Sequence, residues 1–139
     1  MTIRYQVIDR YPTSDEYVRL CSSVGWNNMN FSVAEQAIRQ SVYATVVSYG
    51  DEVIGMARIV GDGAMYFYIQ DFVVHPLHQE KGVGKMLMNQ LFSYLKEYAP
   101  TQAFIGLFAT EAGSHLYKQF GFQSPGDMNG MFRLTPIES

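Results

Sequence analysis

The stretch Gln79-Glu80-Lys81-Gly82-Val83-Gly84-Lys85 concentrates the residue types that handle a phosphate. It lies between a β-rich run ending at Val74 and an apolar-periodic run beginning near residue 80. Glycines at a strand-to-helix junction let backbone N–H groups approach a ligand, and the helix start adds a partial positive charge. One exposed helix-end interaction contributes only about 0.3–1 kcal/mol, so several N–H groups must converge to hold an anion. Two better-known phosphate loops do not fit. The dinucleotide pattern G-x-G-x-x-G needs a third small residue at 87, where Leu87 stands. The nucleotide P-loop needs glycine at 79 and a hydroxyl at 86, where the sequence has Gln79 and Met86. His75 and His78 straddle Pro76 with no cysteine pair nearby, a poor spacing for metal, and no metal site is expected. Cys21 falls in an apolar helical stripe with no base close in sequence, which disfavours a role as a covalent nucleophile.

The elements that must position this loop are legible in the periodicity. Residues 2–8 read as a strand. Thr13 and Glu16 form a capping box that opens a helix carrying Tyr17, Leu20, Cys21 and Val24 on one face, with Gly25 as its stop. Ser32 and Glu35 read as a second capping box, with Ala34, Ala37 and Ile38 on the face of a second helix. Strands follow at 43–48, 53–60 and 65–74, joined by short turns that favour an antiparallel meander. Residues 80–98 read as a helix with the stripe Val83, Leu87, Leu91, Leu95 and Tyr98. A buried strand is expected at 103–108, a short helix at 110–120 stopped by Gly121, and two closing strands near 121–125 and 129–135. The fold class is α/β (α+β), one domain over 1–139, with helices on both faces of a mixed sheet.

Two motifs in this order resemble the GNAT superfamily of acetyl-CoA-dependent N-acetyltransferases. Q-x-x-G-x-G at 79–84, after the strand ending Phe72-Val73-Val74-His75-Pro76, is similar to that family's pyrophosphate loop. Leu116-Tyr117-Lys118-Gln119-Phe120-Gly121-Phe122 is similar to its L-Y-x-x-x-G-F signature. The order of elements agrees over nearly the whole chain. The resemblance implies a twisted, mostly antiparallel central sheet of about six or seven strands with about four helices.

It also implies roles. Acetyl-CoA is the acyl-donor cosubstrate, with its pantetheine arm beside Phe72, Val73 and Val74 and its pyrophosphate on Gln79, Glu80, Lys81, Gly82, Val83, Gly84 and Lys85. Tyr117 maps to the family's general acid, which protonates the departing CoA thiolate; a tyrosine with a pKa of about 10 keeps its proton for that purpose at neutral pH. Many members carry asparagine and alanine seven and four residues before this tyrosine, where Thr110 and Gly113 stand here. Thr110 is placed at the pantetheine and alternatively caps its helix. The acceptor ammonium, with a pKa of about 10.4, costs about 4.6 kcal/mol to deprotonate at pH 7, so a proton acceptor is needed. Asp71 is the first candidate, with a structural hydrogen-bond anchor as its other reading; Glu111 and His115 are alternatives. Strict alternation sets Asp71 opposite Phe72 unless a bulge turns it. The acceptor cleft is assigned to Trp26, Asn27, Phe31, Arg58, Tyr68 and Gln70.

Composition bounds these readings. The chain has 139 residues, 47% hydrophobic and 17% charged, with a formal net charge of −3 and no basic run. Such a chain buries a full core and is poorly suited to nucleic-acid backbone. A lone cysteine excludes an internal disulfide, and no apolar run reaches the roughly 20 residues of a membrane helix. The expectation is a cytoplasmic enzyme acting on a small-molecule amine, without nucleic acid or membrane, and a homodimer by family likeness and apolar C-terminal strands. A non-catalytic CoA-binding sensor and a peptide or protein N-acetyltransferase are the alternative readings.

Overall fold

The computed structural model describes residues 4–137. Strand β1 (Tyr5–Ile8) is followed by α1 (Ser14–Ser23), α2 (Ala34–Arg39), β2 (Tyr43–Tyr49), β3 (Glu52–Gly61), β4 (Tyr66–Val74), α3 (Val83–Tyr98), β5 (Phe104–Gly106) and α4 (Glu111–Gln119). The residues form two compact units, one ending at Leu107 and the other beginning at Phe108.

The sheet runs in the order β1-β2-β3-β4-β5. The first four strands pair antiparallel as the short turns predict, and β5 joins β4 in parallel. A crossover of this kind needs a long connection, which α3 supplies. One face of the sheet carries α1 and α2. Tyr17, Leu20, Cys21, Ala34 and Ile38 pack there with Val46, Val53, Met56 and Val73. The stripe of α3 buries Val83, Leu87, Met88, Leu91 and Leu95. Its approach to β3 depends on Gly55: a Cβ there would lie 3.2 Å from Val83 Cγ1 and 3.4 Å from Leu87 Cδ1. The missing side chain lets the first turn of α3 sit close on the strand.

Capping explains where α1 begins. Glu16 N donates to Thr13 Oγ1 at 3.1 Å, and Thr13 N donates to Glu16 Oε1 at 2.9 Å, the reciprocal bonds of a capping box. Arg10 grips the same carboxylate through both terminal guanidinium nitrogens at 2.9 and 3.1 Å. The box expected at Ser32 and Glu35 does not form. Asn30 caps a single 3₁₀ turn at Phe31–Val33 instead, with Ser32 N donating to Asn30 Oδ1, and Glu35 pairs with Arg39 one turn on. The Ser32 hydroxyl donates to the same Asn30 oxygen, and the helix takes Val33 rather than Ser32 at its N-cap, so no serine oxygen is set against Glu35 N.

Further boundaries differ from the periodicity. Helix α3 starts at Val83, not at residue 80, because Glu80 and Gly82 have φ of 61° and 86°. Strand β5 spans three residues and is exposed to half-buried rather than buried. The strands expected at 121–125 and 129–135 are absent among the described residues, so the sheet has five strands rather than six or seven. Propensity alone does not make a strand; a run needs an edge to pair with. The strand expected at 2–8 is seen at Tyr5–Ile8, and residues 2–3 lie outside the described residues.

Candidate active site

Strand β4 carries a bulge at the point where it meets the helices. Val73 faces Met56 and Gln70 faces Arg58, so Asp71 and Phe72 together oppose the one residue Ala57. Asp71 takes the left-handed conformation, φ 56°, that a bulge demands and that aspartate tolerates better than most side chains. The extra residue turns Asp71 toward α1 and buries it. There Tyr17 Oη donates to Asp71 Oδ2 at 2.6 Å and Arg58 Nε donates to the same oxygen at 2.7 Å. Arg58 Nη1 also donates to Ser41 Oγ at 3.2 Å and to the Ala37 carbonyl at 3.3 Å, and the guanidinium lies 6.0 Å from the Tyr17 ring centroid. Burial, and then the Asp71 carboxylate, push the Tyr17 phenol well above its ordinary range. Burial likewise pushes the Cys21 thiol up to about 11.

The edge of β4 is only partly used. Its ladder with β5 pairs Tyr66, Phe67 and Tyr68 with Phe104, Ile105 and Gly106, and stops before Gln70. Phe72 and Val74 are half-buried, and Val73 is buried. Tyr68, Gln70 and Arg58 are half-buried; Arg58 and Gln70 are directly opposite in register.

Beyond β4 the chain makes one 3₁₀ turn, Pro76–His78, and then the glycine loop. His75 N donates to the Ile54 carbonyl at 2.8 Å, and the Gln79 side-chain amide donates to the Val74 carbonyl at 3.0 Å. Two left-handed residues, Glu80 and Gly82, bend the loop into the start of the 16-residue α3. The first helical bond runs from Met86 N to the Gly82 carbonyl at 3.1 Å. The N–H groups of Val83, Gly84 and Lys85 therefore precede any intrahelical acceptor and stand at the positive end of the helix dipole. Lys81 and Lys85 are exposed beside them. The structure thus brings Gln79 through Lys85 into one anion-suited turn.

In the second unit, Thr110 caps α4, its Oγ1 accepting from Gly113 N at 3.2 Å. Tyr117 is buried, which pushes its phenol above the ordinary value. Its ring lies back over Gly113: a Cβ there would come within 3.0 Å of Tyr117 Cε2 and 3.1 Å of Oη. Glu111 and His115 are exposed. In the α1–α2 segment, Trp26 and Phe31 pack half-buried against the core, whereas Asn27 is exposed. Arg58, read from sequence as lining the acceptor cleft, is committed to Asp71 and Ser41. Sequence reasoning missed Tyr17 and Ser41 as its companions. The signal available was a tyrosine inside an apolar stripe, whose hydroxyl must find a partner when buried.

Residues 30–124 match the family model described as an acetyltransferase (GNAT) domain. An uncharacterized N-acetyltransferase, ycf52, of Gracilaria tenuistipitata var. liui is 33% identical over 133 residues, which is 92% of this chain and 72% of the relative. Glycine max histone acetyltransferase TAP1 is 33% identical over 81% of this chain and 53% of its own. Among solved structures, a GNAT-family acetyltransferase of Streptococcus pneumoniae superposes with a TM-score of 0.81 at 27% identity, covering 96% of this chain and all, 100%, of the other. A protein of unknown function from meticillin-resistant Staphylococcus aureus reaches 0.89 at 26% identity, covering 95% and 100%. The fold is that of the GNAT acetyltransferases. The chain belongs to this family.

Proposed function

We propose that the protein transfers the acetyl group of acetyl-CoA to the primary amine of a small molecule. The observation that carries this reading is the Gln79–Lys85 turn, two left-handed residues opening a long helix, set directly after a strand whose ladder ends early. The helix-start N–H groups and the dipole suit a diphosphate. The β4 edge beyond Tyr68, where the ladder with β5 has ended, suits the amide groups of a pantetheine arm, added like one more strand.

In the proposed reaction the neutral amine attacks the thioester carbonyl carbon. The tetrahedral intermediate collapses with cleavage of the C–S bond, and the sulfur leaves with the electron pair. Tyr117 gives that thiolate its proton and is reprotonated from solvent. The proton lost by the amine passes through water. Asp71 remains the first candidate to receive it, because both of its hydrogen bonds land on Oδ2 and neither uses Oδ1. Its buried contacts equally support an anchoring role for the bulge. Trp26, Phe31, Tyr68 and Gln70 supply an aromatic and amide surface suited to a compact acceptor rather than an open peptide groove.

The test is a thermal-melt titration with acetyl-CoA, with adenosine as control, followed by turnover on an amine panel. A ligand that binds only the native state must raise the melting temperature. A saturable rise with acetyl-CoA alone is expected, and Tyr117→Phe is expected to lower turnover at least about tenfold with little change in acetyl-CoA affinity. No shift at millimolar acetyl-CoA would overturn the reading, and unchanged turnover would remove Tyr117 from the mechanism.

A further inference from the structure

We infer that His78 is the positioning residue of the acetyl-CoA diphosphate loop and that Tyr5 and Tyr49 form the dock that holds it. The inference rests on the reading of Gln79–Lys85 proposed above. His78 ends the 3₁₀ turn immediately before the loop. Its Nδ1 lies 2.8 Å from Tyr5 Oη, a contact between residues 73 positions apart. Tyr5 and Tyr49 are direct cross-strand partners on β1 and β2, and their rings lie 5.0 Å apart. The imidazole touches both, edge-on to Tyr5 at 5.6 Å and tilted to Tyr49 at 5.1 Å. Three aromatic rings and one hydrogen bond thus fix this point of the loop to the far edge of the sheet.

The rest of the loop has little else to hold it. The Gln79 side chain bonds only to Val74, five residues back, and the His75 ring accepts from Leu77 N, two residues on. Leu77 is exposed, and so are Glu80, Lys81 and Gly82. Among the described residues, the His78 contact is the side-chain hydrogen bond from 76–82 that reaches beyond the adjoining strand β4. Anion binding by backbone N–H groups depends on those groups being aimed before the ligand arrives, since ordering a loop on binding subtracts from affinity. A tie at residue 78 stands directly upstream of the two left-handed residues that aim the N–H groups. Its loss should weaken ligands that carry the diphosphate and leave the chemical step alone.

The experiment compares wild type, His78→Ala, His78→Asn and Tyr5→Phe. Acetyl-CoA affinity is measured by calorimetry, and steady-state kinetics are measured with acetyl-CoA and with S-acetylpantetheine, which lacks the diphosphate. His78→Ala is expected to raise the acetyl-CoA Kd and KM about tenfold, the size of one ordinary hydrogen bond with its ring contact. The kcat at saturation should stay within about twofold, and kcat/KM for S-acetylpantetheine should not change. His78→Asn, whose amide can reach the Tyr5 hydroxyl from the Nδ1 position, should recover most of the affinity. Tyr5→Phe keeps the ring, loses the bond, and should fall between the two; it carries the test if His78→Ala does not fold. An unchanged Kd in folded His78→Ala or Tyr5→Phe would overturn the inference. So would an equal loss with S-acetylpantetheine, which would mark general damage. Failure of wild type itself to bind acetyl-CoA would instead refute the underlying functional reading, and the inference with it.

Discussion

Replacing Asp71 by asparagine isolates the charge of the buried cluster from its shape. Asp71 and Arg58 are 2% and 12% exposed at the side chain and meet at 2.7 Å, so neither charge is well hydrated. Removing one partner of a buried pair typically costs about 3–5 kcal/mol, because the other charge is left uncompensated. Asparagine keeps an oxygen that accepts from Tyr17 and Arg58, and it tolerates the left-handed backbone at 71 as well as aspartate does. Arg58 also keeps Ser41 and the Ala37 carbonyl. The loss should therefore fall at the low end, about 3 kcal/mol, or a melting temperature roughly 10 °C lower for a chain of this size. Urea unfolding and thermal melting measure it directly. The double variant Asp71→Asn with Arg58→Met removes both charges and should recover a large part of the loss. A loss under about 1 kcal/mol, the value of a solvated surface pair, would refute the claim that the pair is buried in solution. A double variant no more stable than the single would refute the electrostatic explanation.

Cys21 should be inert to alkylation at pH 8 in the folded protein and react rapidly in urea, since its thiol is pushed from 9.0 up to about 11. The fold prefers the protonated thiol, so this contribution to stability is complete below pH 9 and is lost as pH rises through about 11; Tyr43, raised to about 12, adds to the same alkaline limb. A urea midpoint that rises between pH 9 and 11 would contradict the sign. Gly113→Ala gains about 1 kcal/mol of helix propensity but sets a Cβ against the Tyr117 ring. The phenol must shift by a few tenths of an ångström, so turnover is expected to fall about fivefold while the melting temperature holds within about 2 °C. Equal turnover in a folded Gly113→Ala would show that this glycine does not set the position of the phenol.

Membership of the GNAT family gives the β4 bulge, the early end of the β4–β5 ladder and the glycine turn a common logic. Each is a place where a regular ladder or helix is interrupted or begins. Stability is supplied beside them, by the α3 stripe on one face and the Tyr17–Val73 cluster on the other. Among the described residues no helix is long and apolar enough to cross a membrane.

The local signals were readable because their information lies within a few residues of one element. The Thr13–Glu16 box, the α3 stripe from Val83 to Leu95, the glycine turn and the Leu116–Phe122 signature each depend on spacing along the chain alone. Antiparallel meander follows similarly from short turns. What depended on partners was not readable in this way. Whether 121–125 and 129–135 become strands is decided by whether an edge receives them, and β5 is only partly buried because it is the last strand of the sheet. That Ser32 would turn its hydroxyl to Asn30 and leave Val33 at the N-cap of α2 depended on the local backbone path, not on residue type. Asp71 meets Arg58 and Tyr17 across separations of 13 and 54 residues, and His78 meets Tyr5 across 73. Those meetings require a register between strands and a helix laid over them. A sequence pattern with period two or 3.6 says which face a residue occupies, but the residue opposite is chosen only when the chain closes on itself.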